Sequence, residues 1–135
     1  MTETQNVLFV CVENAGRSQM AEAFFKKYAP SKFKVISAGT APSSQLNPKV
    51  VQVMEEIGIT LDQQSPKLLS NDMIQDSLKT VNMGCMDKES CPALFVKDVL
   101  DWKISDPKEK SLDEIREIRD KILTEVLYLI KSLED

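Results

Sequence analysis

Cys11 and Arg17 are separated by five residues, and Ser18 follows the arginine. That spacing lets the backbone curl so that the N–H groups of Val12, Glu13, Asn14, Ala15, Gly16 and Arg17 point to a common centre. The residues that follow read as a helix, whose first amides and dipole favour an anion. Arg17 supplies a planar fork matched to two oxygens of a tetrahedral oxyanion. Asn14 and Gly16 are residue types that accept the left-handed backbone such a concavity uses. A helix N-terminus with a neighbouring cation favours thiolate over thiol, and Ser18 can donate a hydrogen bond to the sulfur. The chemistry this allows is nucleophilic attack by Cys11 on a phosphate-like centre. A cysteine ending a strand is more commonly a small buried hydrophobe; strand, spacing and helix together argue for the anion site.

The chain contains no histidine. This removes Ser-His-Asp triads, Cys-His dyads, HExxH metal sites and the usual zinc-deaminase ligands together. Two further cysteines, Cys85 and Cys91, complete an odd total of three, so a static disulfide framework would leave one over. They are spectators, half of a metal site, or redox partners. Zinc would need two more N or S ligands, and only Cys11 remains.

The elements that must position Cys11 and Arg17 are legible as patterns. Val7 to Val10 is a short apolar run that reads as a buried strand. From Ser18 a helical period places Met20, Ala21, Phe24 and Tyr28 on one face until Pro30. Phe33 to Ala38 reads as a second strand ending at Gly39. Asn47-Pro48 starts a helix through Val50, Val51, Val53, Met54 and Ile57, closed by Gly58. Asn71 to Ser77 reads as a short helix, Leu78 to Met83 as a third strand ended by Gly84, Cys85 to Lys97 as loop, and Val99 to Ile104 as a fourth strand. Ser111 with Glu114 forms a capping box. From there Leu112, Ile115, Ile118, Ile122, Val126, Leu129 and Leu133 make one stripe. Alternating strands and helices predict an α/β fold: one three-layer domain over 1–135, with a four-stranded parallel sheet and helices on both faces.

The bulk composition agrees with a single 135-residue unit, 42% hydrophobic and 28% charged. A formal net charge of −4 gives no footprint for nucleic acid or an anionic membrane. An anion site must therefore be built locally. No apolar stretch is long enough to span a bilayer, and the polar N-terminus has no signal-peptide character. Both point to the cytoplasm, where thiols stay reduced.

The loop Val10-Cys11 through Arg17-Ser18 resembles the phosphate-binding loop of low-molecular-weight tyrosine phosphatases. The longer string Asn14-Ala15-Gly16-Arg17-Ser18-Gln19-Met20-Ala21-Glu22-Ala23-Phe24 is similar to arsenate reductases built on that fold, of the thioredoxin-coupled type. Ser37-Ala38-Gly39-Thr40, Leu46-Asn47-Pro48, Cys85 through Cys91-Pro92, Asp101-Trp102, Asp106-Pro107 and Ile118-Arg119-Asp120 extend the likeness along nearly the whole chain. The resemblance implies arsenate reduction to arsenite for arsenic detoxification. Cys11 would attack arsenic, and Asp106 would protonate the leaving hydroxyl. Cys85 would then form a disulfide with Cys11, and Cys91 would take over that disulfide with Cys85. It implies no tightly bound cofactor but an external thiol reductant, thioredoxin favoured, with a small thiol plus a redoxin as the alternative. Phosphate and sulfate would compete with arsenate.

The sequence departs from this pattern at several points. Glu13 puts a negative charge inside the anion loop. Some relatives bind a monovalent cation through residues resembling Asn14, Glu22 and Ser37 plus an acid; Lys67 stands where the acid would be, so its ammonium is expected to replace the cation. Lys108-Glu109-Lys110 follows Asp106-Pro107 where the phosphatases carry tyrosines, which argues against a phosphotyrosine substrate. The competing readings are a phosphomonoester hydrolase of the low-molecular-weight type, and a non-catalytic oxyanion-binding or redox-sensing protein in which Glu13 has spoiled the nucleophile. Trp102 is expected to pack rather than to hold substrate.

Overall fold

The stretch with least polarity forms the centre of the sheet. In the computed structural model, which describes residues 5–84 and 99–134, β1 spans Gln5–Cys11. Val7, Leu8, Phe9 and Val10 are 0% exposed. Side chains alternate across a strand, and here they serve two cores. Val7, Phe9 and Cys11 join the larger one, while Leu8 and Val10 join the smaller one with Ala38 and Ile74. A strand buried on both faces needs a near-continuous apolar run, and this one has it.

The chain continues through α1 (Arg17–Tyr28), β2 (Phe33–Gly39), α2 (Pro48–Glu55), α3 (Asn71–Gln75), β3 (Ser77–Asn82), β4 (Leu100–Asp101) and α4 (Leu112–Glu134). The four strands are all parallel, in the order β2-β1-β3-β4. The larger core gathers α1, α2 and α4 over one face; Ile74 of α3 closes the other with Leu69 and Met73. This is the expected three-layer architecture. No helix among the described residues is long and apolar enough to cross a membrane.

Several boundaries differ from the sequence expectation, each for a local reason. Ser77 opens β3 instead of ending α3. β4 is two residues long: the Trp102 amide still donates to the Asn82 carbonyl at 2.9 Å, but the Ile104 amide then turns back to the Trp102 carbonyl at 3.1 Å and ends the pairing. The Trp102 ring packs on Phe9, centroids 5.7 Å apart, as expected. Tyr28 was assigned to the buried face but is 46% exposed: burial of α1 stops at Phe25, and Lys26, Lys27 and Tyr28 all reach solvent. Ile57 lies beyond α2 in the turn to Gly58 (φ +79) and is also exposed.

The ends that matter are well capped. The Asn47 side chain accepts from the Lys49 amide at 3.0 Å, with Pro48 in the first turn of α2. The Ser111 hydroxyl accepts from the Glu114 amide at 3.2 Å while Glu114 accepts from the Ser111 amide at 3.2 Å. The capping box predicted for α4 is therefore present.

A second polar fastening joins α2 to α4. Arg119, largely buried, donates to the Val53 carbonyl at 2.9 Å and to Glu56 at 3.1 Å. Arg116 donates to the other Glu56 oxygen at 2.6 Å. The Arg116 hydrogen bond and charge, followed by those of Arg119, hold the Glu56 carboxyl below its usual range. A depressed carboxylate stabilises the fold above its unfolded pKa, and that contribution is lost as pH falls through the folded value. Glu56→Gln should therefore lower the Tm at pH 7 and have a smaller effect near pH 3; thermal melts of both proteins across that range check it.

In parallel α/β sheets, binding sites form beyond the strand C-termini where the chain changes direction. Here that point is the end of β1, with β2 on one side and β3 on the other. The register pairs Cys11 with Gly39 and Val10 with Asn82, so the residues after each strand emerge at one edge.

Candidate active site

Residues 11 to 16 leave β1 as a closed loop, and the loop's carbonyls show which way it faces. The Cys11, Val12, Glu13 and Ala15 carbonyls accept from the amides of Thr40, Ala41, Ser43 and Asn47 at 3.3, 2.8, 2.9 and 2.9 Å. The Asn14 carbonyl accepts from the Gln19 side chain at 2.9 Å, and the Gly16 carbonyl from the Met20 amide at 3.0 Å. Every carbonyl is thus turned outward and engaged. Among the described residues, the amides of Glu13, Ala15 and Gly16 donate to no protein acceptor. Gly16, the residue before α1, makes no side-chain cap, and the first turn of α1 holds no acid. The helix N-terminus is left open toward the loop's interior, which is the electrostatic requirement for an anion.

Asn14 holds this shape. Its φ is +52, in the left-handed region. Its side-chain amide donates to Ser18 at 2.6 Å and Ser37 at 3.0 Å. Its side-chain oxygen accepts from the Lys67 amide at 2.8 Å and from Gln19 at 3.0 Å. Gln19 also donates to the Ser65 carbonyl at 2.9 Å, and its own side-chain oxygen accepts from Gln64 at 2.7 Å. A buried network satisfied in this way rigidifies what it joins. Gln19 and Gln64 were not singled out by sequence reasoning, and no local pattern distinguishes them.

Donors converge on the sulfur. The Asn14 amide donates to Cys11 Sγ at 3.2 Å, and Ser18 Oγ lies 2.8 Å away. Ser18 Oγ accepts from Asn14, and its own hydrogen is available to a Cys11 thiolate. Cys11 is 2% exposed, yet it lines a cavity of about 30 Å³ with Ala15, Gly16, Arg17, Asp106 and Pro107. The sulfur thus has polar partners and an opening to the cavity, although the residue also borders the larger core.

Arg17 is fixed from three sides. One nitrogen donates to the Ile104 carbonyl at 3.0 Å, the other lies 3.7 Å from Asp106 Oδ2, and the guanidinium carbon rests against Gly84. A Cβ on Gly84 would fall 2.5 Å from that carbon. Gly84, just past the end of β3, is thus bare where Arg17 sits. Gly16 corrects the sequence expectation. Its φ is −141, not left-handed, and an added Cβ would meet Pro107 Cγ at 2.7 Å. Gly16 lets the Asp106-Pro107 segment close over the loop.

Glu13 does not intrude on the sulfur. Its carboxylate accepts from Lys108 Nζ at 3.2 Å, at the rim. Glu22 is buried and accepts from Ser37 at 2.7 Å and Lys26 at 2.9 Å, with Lys67 Nζ at 3.7 Å. Beside Asn14, Glu22 and Ser37, the Lys67 ammonium stands 3.7 Å from Glu22, and the Asn14 oxygen accepts twice. Cys11, Arg17, Ser18 and Asp106 are brought together; Cys85 and Cys91 lie outside the described residues.

The sequence model for low molecular weight phosphotyrosine protein phosphatases matches residues 6–135. The chain belongs to that family. Within the low molecular weight phosphatase family its relatives include the arsenate reductase of Staphylococcus aureus, 32% identical over 87% of this chain and 90% of that one. The glutaredoxin arsenate reductase of Synechocystis is 31% identical, covering 96% of this chain and 98% of that protein. Among solved structures, the thioredoxin-dependent arsenate reductase of Corynebacterium glutamicum superposes with a TM-score of 0.81 at 39% identity. That match covers 96% of this chain and 62% of the longer one.

Proposed function

We propose that this chain reduces arsenate to arsenite with electrons from an external thiol reductant. The observation that carries the reading is the cup around Cys11: carbonyls turned out, amides turned in, and Arg17 fixed at its side. Its place among arsenate reductases of the same family supports arsenate as the oxyanion.

The steps balance as follows. Arsenate enters the cup with its oxygens on the loop amides and Arg17. The Cys11 thiolate attacks arsenic, Asp106 gives a proton to the departing hydroxyl, and water leaves. Cys85 attacks Cys11 sulfur; the As–S electron pair stays on arsenic, which falls from As(V) to As(III) and leaves as arsenite. The two thiols become the Cys11–Cys85 disulfide. Cys91 attacks Cys85, releasing Cys11 and leaving Cys85–Cys91 for reduction by exchange with thioredoxin or a glutaredoxin-coupled small thiol. Thioredoxin is the favoured partner, supported by the Corynebacterium likeness. Phosphate and sulfate compete for the cup. The test is arsenate-dependent oxidation of reduced thioredoxin, one arsenite released per disulfide formed; absence of arsenite would reject the reading.

Phosphomonoester hydrolysis is the second reading, since the same Cys11, Arg17 and Asp106 would serve it. No aromatic side chain lines the cavity among the described residues, and Lys108 occupies the rim, which favours a small inorganic substrate. The non-catalytic reading rested on Glu13, and the Lys108 pair removes its ground.

Two further results are expected. Gly16→Ala should lower kcat/KM for arsenate by about 100-fold, because Pro107 and with it Asp106 must back away from the arsenic site by a sizeable fraction of an ångström; steady-state kinetics beside a thermal melt would separate this from unfolding. Arsenate turnover should not depend on potassium, because Lys67 and Lys26 already neutralise Glu22. Equal rates in potassium and tetramethylammonium chloride at one ionic strength check this.

A further inference from the structure

The mouth of the cup carries four charged side chains: Arg17, Asp106, Glu13 and Lys108. Two are positive and two negative, so these four sum formally to zero above the Cys11 thiolate. Without Lys108 a dianion would meet a net negative mouth on a chain whose own net charge is −4. We propose that Lys108 is a specificity residue for doubly charged inorganic oxyanions: it cancels Glu13 at the rim and draws the second negative charge of the substrate into the cup.

The local backbone is shaped to hold it there. The Lys108 amide donates to Asp106 Oδ1 at 3.0 Å, and the Lys110 amide donates to the Pro107 carbonyl at 3.2 Å. Between them Glu109 takes φ +63, an unfavourable value for a side-chain-bearing residue. The turn thus ties Lys108 directly to the proposed acid. Its ammonium reaches back across 95 residues of chain to Glu13 at 3.2 Å. The Glu13 hydrogen bond and charge, backed by Glu109 and Asp106, push the Lys108 ammonium above the usual lysine range, so it stays protonated.

The pair does little for stability. Its two side chains are 61% and 40% exposed, and ion pairs of that kind contribute almost nothing to folding. Exposure instead leaves the ammonium's remaining hydrogens available to a substrate oxygen while it stays beside Glu13. An aromatic side chain at this turn position would favour an aryl ester; a cation favours charge over surface.

This inference rests on the oxyanion reading of the cup, and its test is chosen to separate the two. The reduced full chain is titrated with inorganic phosphate by calorimetry, beside steady-state arsenate kinetics. Lys108→Gln should weaken phosphate binding and raise the arsenate KM by about 3- to 10-fold, with kcat within about twofold, because one screened charge at the rim is removed. Glu13→Gln should tighten both by a similar factor, the double variant should return near wild type, and Lys108→Arg should retain wild-type affinity. All differences should shrink at high salt. A Lys108→Gln protein that binds phosphate as wild type does, or whose loss is indifferent to salt, overturns the proposal. If wild type binds phosphate in this Lys108-dependent way but releases no arsenite, the rim role stands and arsenate reduction falls.

Discussion

Cys11→Ser is expected to reduce arsenate turnover to background, a loss of more than about 10³-fold, while phosphate still binds within a few-fold of wild type. Serine keeps a small polar atom beside Ser18 and leaves the outward carbonyls untouched, so the cup should survive. A hydroxyl is a poor nucleophile near neutral pH, however, and it cannot yield a disulfide. Binding without turnover is the signature of a lost nucleophile rather than a collapsed site. Cys85→Ser gives the informative contrast under the proposed relay. It should abolish multiple-turnover arsenate reduction yet leave hydrolysis of a simple phosphate ester, which needs no second thiol. A Cys85→Ser protein that reduces arsenate at the normal rate would overthrow the relay while leaving the Cys11 cup standing.

Arg17→Lys, which keeps the charge, should still cost about 10²- to 10³-fold in kcat/KM. The guanidinium does three things at once: it donates to the Ile104 carbonyl, faces Asp106 and lies flat against Gly84. Lysine presents a compact ammonium that cannot fill a planar seat or offer two parallel donors to an oxyanion. Removing one preorganised donor from a developing charge typically costs two to three orders of magnitude. Calorimetry with phosphate and kinetics with arsenate would locate the loss. An Arg17→Lys protein with wild-type kcat/KM would show that charge alone suffices and that the Gly84 seat is irrelevant.

These expectations also mark how far local sequence carries the site. The strand, the five-residue loop and the helix are contiguous, so their chemistry is written in spacing: Cys11, Asn14, Arg17 and Ser18 meet because few backbone dihedrals separate them. The same holds for the Ser111–Glu114 box and for the apolar alternation of β1. Helix ends were less legible. Tyr28 and Ile57 continue an apolar period past the point where anything covers them, and periodicity does not reveal where a neighbour stops.

By itself, the order of residues determined the parallel α/β layering and the family, and it marked Cys11 and its loop as the candidate anion site. Only the tertiary structure decided why Gly16 and Gly84 are bare, which groups take the loop's carbonyls, and that Glu13 is held by Lys108. Each of these joins segments that meet where the parallel strands end. Such contacts depend on sheet order and register, and a side chain's type says nothing about a partner that the fold brings from 95 residues away.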